Sequence, residues 1–322
     1  MKRVLPLFVV ALCALAQAQN PNGQPGPCTS RAAGGNNQAT LPAEATDAMR
    51  QARQAAGEGK LDEAITLYQR AHELAPNAPQ PYLGAGTALD LKGDYAGARQ
   101  QFAKAIDAAQ GQGKIQALKS MAISYAFTND GKDAEKYEKM AFDQQIGAPY
   151  YYDAGETADE LARIYLEAND PGDALKWYRT GYETGIKEPN ISAACNDLWQ
   201  FRWENAQARV AARRGQKEEA EKHLAAAKAI FDKGSNPDQA RFVPYLTGYV
   251  AFYLGDYKTA LADLQNADQR DPFILLLEAE AHEKLGDGQS AELYRKIVTF
   301  STHNPPNAFA RPIAQRHTGG GA

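Results

Sequence analysis

Cysteine is scarce in this chain, three among 322 residues, which excludes a scaffold built on disulfides. Long apolar runs are equally lacking. Val4–Leu15 falls short of the ~20 residues that a membrane-spanning helix needs, and no later segment is long and apolar enough. Signatures of catalysis are missing too. The five histidines, His72, His223, His282, His303 and His317, have no metal-ligand spacing to another His or Cys. His282-Glu283 begins like a zinc-protease motif, but Gly286 stands where the second ligand belongs. No Gly-rich loop ends in Lys-Ser or Lys-Thr, and no G-x-S-x-G occurs. These absences argue against an enzyme and against any bound metal or cofactor.

The ends carry targeting and linker signals. Lys2 and Arg3, the apolar run and Ala16-Gln17-Ala18 form a secretion signal over residues 1–18, so the chain is expected to be exported, periplasmic or secreted. Leu12, where a small residue is wanted before Cys13, speaks against a lipid anchor. Residues 19–43 are rich in Gly, Pro, Asn and Gln and read as a flexible leader. Removing Lys2 and Arg3 leaves 33 basic against 39 acidic residues, a net charge of −6, which disfavours nucleic acid and anionic membrane as partners. Two cysteines remain, Cys28 and Cys195. In an oxidising compartment they either pair, tying the leader to the fifth unit, or leave Cys195 unpaired or buried.

Between the ends one pattern returns seven times. A turn residue (Gly59, Gly93, Asn129, Asn169, Gly215, Gly255, Gly286) precedes by five positions an alanine (Ala64, Ala98, Ala134, Ala174, Ala220, Ala260, Ala291). Seven residues further stands a second small residue: Ala71, Ala105, Ala141, Gly181, Ala227 and Ala267, with Val298 the larger exception. Gly and Asn tolerate the left-handed backbone that ends a helix. Five of the seven are followed by Asp (Asp94, Asp130, Asp170, Asp256, Asp287), suited to receive the free N–H groups of a new helix. Each unit therefore reads as helix, tight turn, helix. The small pair lets two helices approach, and Tyr68, Phe102, Tyr178, Leu224 and Leu264 fill the space beside it.

At these residues the chain resembles the tetratricopeptide repeat family. GKLDEAITLYQRAHELAP from Gly59, GDYAGARQQFAKAI from Gly93 and GDYKTALADLQNADQRDP from Gly255 are close matches, the last with Gly248 at the family's small first-helix position. The resemblance implies an all-α, right-handed superhelical solenoid of about seven repeats over residues 44–300, with a capping helix at 301–317 and a short tail at 318–322. Landmark spacings of 34, 36, 40, 46, 40 and 31 place insertions between units. Gly84-Ala85-Gly86 reads as close helix packing, not as a phosphate cradle. Only Lys119 fits the family's carboxylate clamp, and Glu156 and Glu160 stand where the next unit needs cations, so a clamp is not expected.

The resemblance also implies that first helices line a concave face. There the fifth unit carries Arg202, Asn205, Arg209 and Arg213, and the sixth Tyr245, Tyr249, Phe252 and Tyr253. A row of guanidinium groups beside a row of rings suits a protein or peptide with acidic and apolar groups. The alternative ligand is a small molecule or glycan stacked on the rings. The competing structural expectation is that the stripe is core. Trp199 and Trp203 are expected to pack inside the insertion before the fifth unit, Tyr150-Tyr151-Tyr152 to lie in a loop, and Glu218-Glu219 and Asp159-Glu160 to be solvated.

Overall fold

The computed structural model describes Cys28 and residues 41–319; the expected secretion signal at 1–18, most of the expected leader and the last three residues lie outside the described residues. Seven helix pairs follow in order. They are α1 (Ala43–Gly57) with α2 (Leu61–Leu74), α3 (Pro79–Lys92) with α4 (Tyr95–Ala108), and α5 (Gly111–Ala126) with α6 (Gly131–Gly147). Then come α7 (Tyr151–Glu167) with α8 (Pro171–Gly185), and α9 (Ala193–Arg213) with α10 (Lys217–Phe231). The last are α11 (Phe242–Tyr253) with α12 (Tyr257–Leu264), and α13 (Pro272–Leu285) with α14 (Ser290–Ile297). A fifteenth helix, α15 (Pro305–His317), follows, and among the described residues there is no strand. Each helix packs on its partner, and each pair on the next.

The repeat landmarks do the work their chemistry suggests. All seven turn residues have positive φ, from 56° at Asn129 to 101° at Gly93. Ala64, Ala98, Ala134, Ala174, Ala220 and Ala260 are fully buried, whereas Ala291 is exposed. Asp94, Asp130, Asp170 and Asp256 cap the next helix through backbone N–H groups of Gly97, Asp133, Asp173 and Thr259. Asp287 differs. It sits two residues ahead of the cap of α14, accepts from the Gln289 N–H and takes His282 at 2.6 Å.

A third landmark accompanies these, of which the sequence reading names only Gly248 as such. Seven residues before each turn stands Ala52, Gly86, Ala122, Ala162, Ala208, Gly248 or Ala279, every one buried. These are the points where a first helix meets the large residue of the second. A Cβ at Gly86 would stand 2.6 Å from a Phe102 ring carbon, and one at Gly248 would stand 2.7 Å from Leu264 Cγ. The Tyr68 ring fills the corresponding space beside Gly84, so Gly84-Ala85-Gly86 is helix packing.

The core is not evenly distributed. Units one to three hold small separate clusters, such as Ala48, Met49, Ala52, Ala64, Tyr68 and Ala71. One large cluster instead joins Leu91 and α5 to α7, α11, α13 and α15. Its centre is α13, whose Phe273–Leu277 run is buried throughout. The C-terminal helix does more than cap the last pair. It packs on α13 and α14 and also reaches α5 and α7.

Candidate functional site

The four fifth-unit residues and four sixth-unit residues do come together, but they face inward. Asn205, Arg209, Tyr245, Tyr249 and Phe252 are buried, Tyr249 completely; Arg202, Arg213 and Tyr253 are half-buried. The expected open row is therefore corrected to a seam between α7, α9 and α11. The reason is a partner that local sequence could not announce. Glu167, at the end of α7, receives Arg213 Nη1 at 3.2 Å and the Tyr249 hydroxyl at 3.5 Å. Arg213 Nη1 also donates to the Tyr253 hydroxyl at 2.6 Å, with its guanidinium 4.5 Å from that ring's centre.

Arg209 donates to Asn205 Oδ1 and to the Tyr178 hydroxyl, both at 2.9 Å, and lies over the Tyr178 and Tyr249 rings. Arg202 bonds Glu156 at 2.9 Å and lies 4.8 Å from the centre of the Trp199 ring. Each buried cation thus has an acceptor and an aromatic wall, the condition for tolerating charge inside a protein. Burial pushes the Glu167 carboxyl up, while Arg213, Arg163 and Arg209 pull it down. Burial likewise holds the Tyr249 hydroxyl well above its usual range.

A second polar cluster joins α5, α6 and α7. Lys119, the one residue that fits the clamp pattern, bonds Glu160 at 2.7 Å. Glu138 is buried without a hydrogen-bond partner, and burial and Glu160 raise its carboxyl well above the usual range. Asp159 and Glu160 are half-buried, not solvated as expected; burial pushes Asp159 up to about 7 against the pull of Arg202. Glu218 and Glu219 are exposed. No group of three or more His, Cys, Asp or Glu among the described residues has metal-site geometry.

Cys28 and Cys195 are joined in a disulfide, with Cα atoms 5.2 Å apart. The bond rests in an aromatic corner with Tyr152 and the fully buried Trp199. Trp199 packs against Gly155 and Gly185, where a side chain would collide with its indole. Trp203 stacks on Tyr182 with ring centres 6.0 Å apart. Tyr151 and Tyr152 belong to α7, and Tyr150 is its cap, so the expected loop is the start of a helix.

Sequence reasoning missed the residues that draw the far end of the chain inward. His303 Nε2 stands 2.8 Å from Asp90 Oδ2, and Arg311 Nε donates to the Leu91 carbonyl at 2.7 Å. These partners are more than 200 residues apart, and no periodicity reports contacts of that kind.

Two tetratricopeptide repeat models match the sequence, over residues 55–122 and 245–305. The chain is a tetratricopeptide repeat protein. Among solved structures it is similar to a tetratricopeptide repeat protein from Parabacteroides merdae, at 13% identity over 86% of this chain and 98% of that one, with a TM-score of 0.50. It is also similar to the nearly identical TPR-like repeats of a putative kinesin light chain from Podosopora anserina (17% identity, 59% and 95% covered, TM-score 0.47). The Rap conjugation gene regulator of plasmid pLS20, in complex with the Phr* peptide, matches at 17% identity over 85% of this chain and 75% of that one, with a TM-score of 0.44. No curated protein matches the sequence. The repeat fold suggests a protein-interaction scaffold. In this tetratricopeptide repeat protein, two sets of contacts join units distant in sequence: the arginine–tyrosine seam of units four to six, and those of α15.

Proposed function

We propose that the chain is an exported, non-catalytic scaffold that binds a protein or peptide partner. The observation that carries this reading is the stack of seven tetratricopeptide-type helix pairs, whose extended surface is suited to holding another chain. The signal-like residues 1–18, which lie outside the described residues, speak for export. The Cys28–Cys195 bond agrees with an oxidising compartment. Among the described residues no helix is long and apolar enough to cross a membrane.

No observation favours the glycan or small-molecule reading, because the ring faces of Tyr245 and Tyr249 are packed inside the protein. The test is affinity capture of the processed chain from envelope and culture fluid, crosslinked before lysis and read by mass spectrometry. The expected result is one or a few proteins enriched over an unrelated exported helical protein. No enrichment above that control overturns the partner-binding reading.

A further inference from the structure

The last turn of α3 presents an unusual pair of neighbours. Asp90 is buried, with its side chain fully removed from solvent, and accepts from Ser124 Oγ at 2.8 Å. Leu91 offers one of the carbonyls that a helix end leaves without an intrahelical partner. Phe102 of α4 and Phe127 after α5 wall the place, so units two and three build a seat with a carboxylate, a carbonyl and two rings.

That seat is filled by the chain's own end. The His303 ring lies between Phe102 and Phe127, with ring centres 5.3 and 5.7 Å away, and its Nε2 reaches Asp90. Arg311 donates to the Leu91 carbonyl, and Gln315 adds a bond to the same oxygen at 3.3 Å. Asn304 caps α15 through the Asn307 N–H, and Asn307 Nδ2 donates to the Thr302 carbonyl at 2.7 Å, which sets the spacing of imidazole and guanidinium.

Three features give this segment the character of a bound peptide. Residues 293–322 contain no Asp or Glu, within a chain that is acidic overall, so the segment complements its seat in charge. Pro312 lies inside α15 and withholds one backbone donor, so this 13-residue helix depends on its seat for order. Thr299 and Ser301 in the connector are exposed, as are Arg316 and His317 at the far end.

We propose that the seat formed by Asp90, Leu91, Phe102 and Phe127 is a docking site for a basic peptide, occupied in cis by residues 300–318 and entered by a partner segment that carries a histidine and, eight residues on, an arginine at the start and along the face of a short helix. The inference rests on the reading of the chain as a partner-binding scaffold and names the chemistry of what it binds.

The experiment uses the full chain with a protease site inserted after Thr299, cut once folded, and a fluorescent peptide of residues 300–318 as the probe. The uncut chain is expected to bind no probe, and the cut chain to exchange its own segment for it saturably. Probe peptides with His303→Ala or Arg311→Ala, which leave the folding of the chain untouched, are expected to bind about tenfold more weakly or worse, as when a buried acceptor is left without its donor. Asp90→Asn in the cut chain should reproduce the His303→Ala loss if its helical content is intact. A cut segment that never exchanges under excess probe, or a probe whose binding ignores both substitutions, overturns the proposal. Uncut chains that associate with rising concentration and yield to the probe would place a second copy in the seat and overturn occupation in cis. The probe is this chain's own sequence, so its failure leaves capture of a partner standing, and failed capture leaves the seat standing.

Discussion

Units two and six carry the same landmark and live in different surroundings. In both, a glycine of the first helix faces a large residue of the second: Gly86 against Phe102, and Gly248 against Leu264. Phe102 belongs to a small cluster with Ala98 and Met121, close in sequence, and also meets the distant His303 ring. Leu264 belongs to the large cluster that also holds α13 and α15. A regular repeat therefore stores its stability between neighbours, as a solenoid should. The C-terminal half ties more distant segments together and behaves more like a globular core.

The sharpest way to break this comparison is Glu167→Ala. It leaves Arg213, whose side chain is only 8% exposed, without its carboxylate. Loss of one partner of a buried pair costs roughly 3–5 kcal/mol, so urea unfolding should shift by that amount. A loss below ~1 kcal/mol would mean that the seam is wet, with a worth like that of surface pairs.

Gly86→Ala and Gly248→Ala form the matched test. Each overpacks a tight contact at a cost of about 1–3 kcal/mol. Hydrogen exchange should rise mainly in α1–α5 for the first and from α7 through α15 for the second. Equal spread in both would abolish the distinction between local and shared cores.

A smaller effect separates the caps. Asp94→Ala removes an N-cap acceptor and should cost ~1 kcal/mol in thermal unfolding. Asp287→Ala removes a His282 partner and no helix cap, so its effect should show as a changed environment of the His282 ring by NMR with little change in thermal unfolding. Loss of helix α14 in that variant would assign Asp287 a capping role after all.

The smallest is a slope with pH. Asp159 and Glu280 are both pushed up to about 7, mainly by burial. A carboxyl raised in the folded state binds its proton more tightly there than in the unfolded chain. Its contribution is complete below the unfolded value near 4 and is lost as pH rises to about 7. Melting temperature should fall from pH 4.5 to 7.5 on their account, and less steeply in Asp159→Asn. An unchanged slope would show that Asp159 is solvated.

Much of the scaffold was legible because its determinants are local. A left-handed turn at Gly93, a cap at Asp94 and a small residue at Ala98 all act within five residues of each other. The buried small residues seven positions before each turn were equally local and could have been read. The candidate stripe was placed on the right helices, but its direction was not legible. Arg209 and Tyr249 would look the same on an open face as in a seam, and Glu167 decides between the two from the end of α7, in a different unit.

By itself, then, the sequence determined the helix pairs, their turns and their order, since each depends on residues a few positions apart. Only the tertiary structure decided which way the arginines and tyrosines face, and that the chain's end returns to α3. Those outcomes rest on contacts such as His303–Asp90, across 213 residues, where burial and pairing of charge are properties of the assembled stack and not of any one repeat.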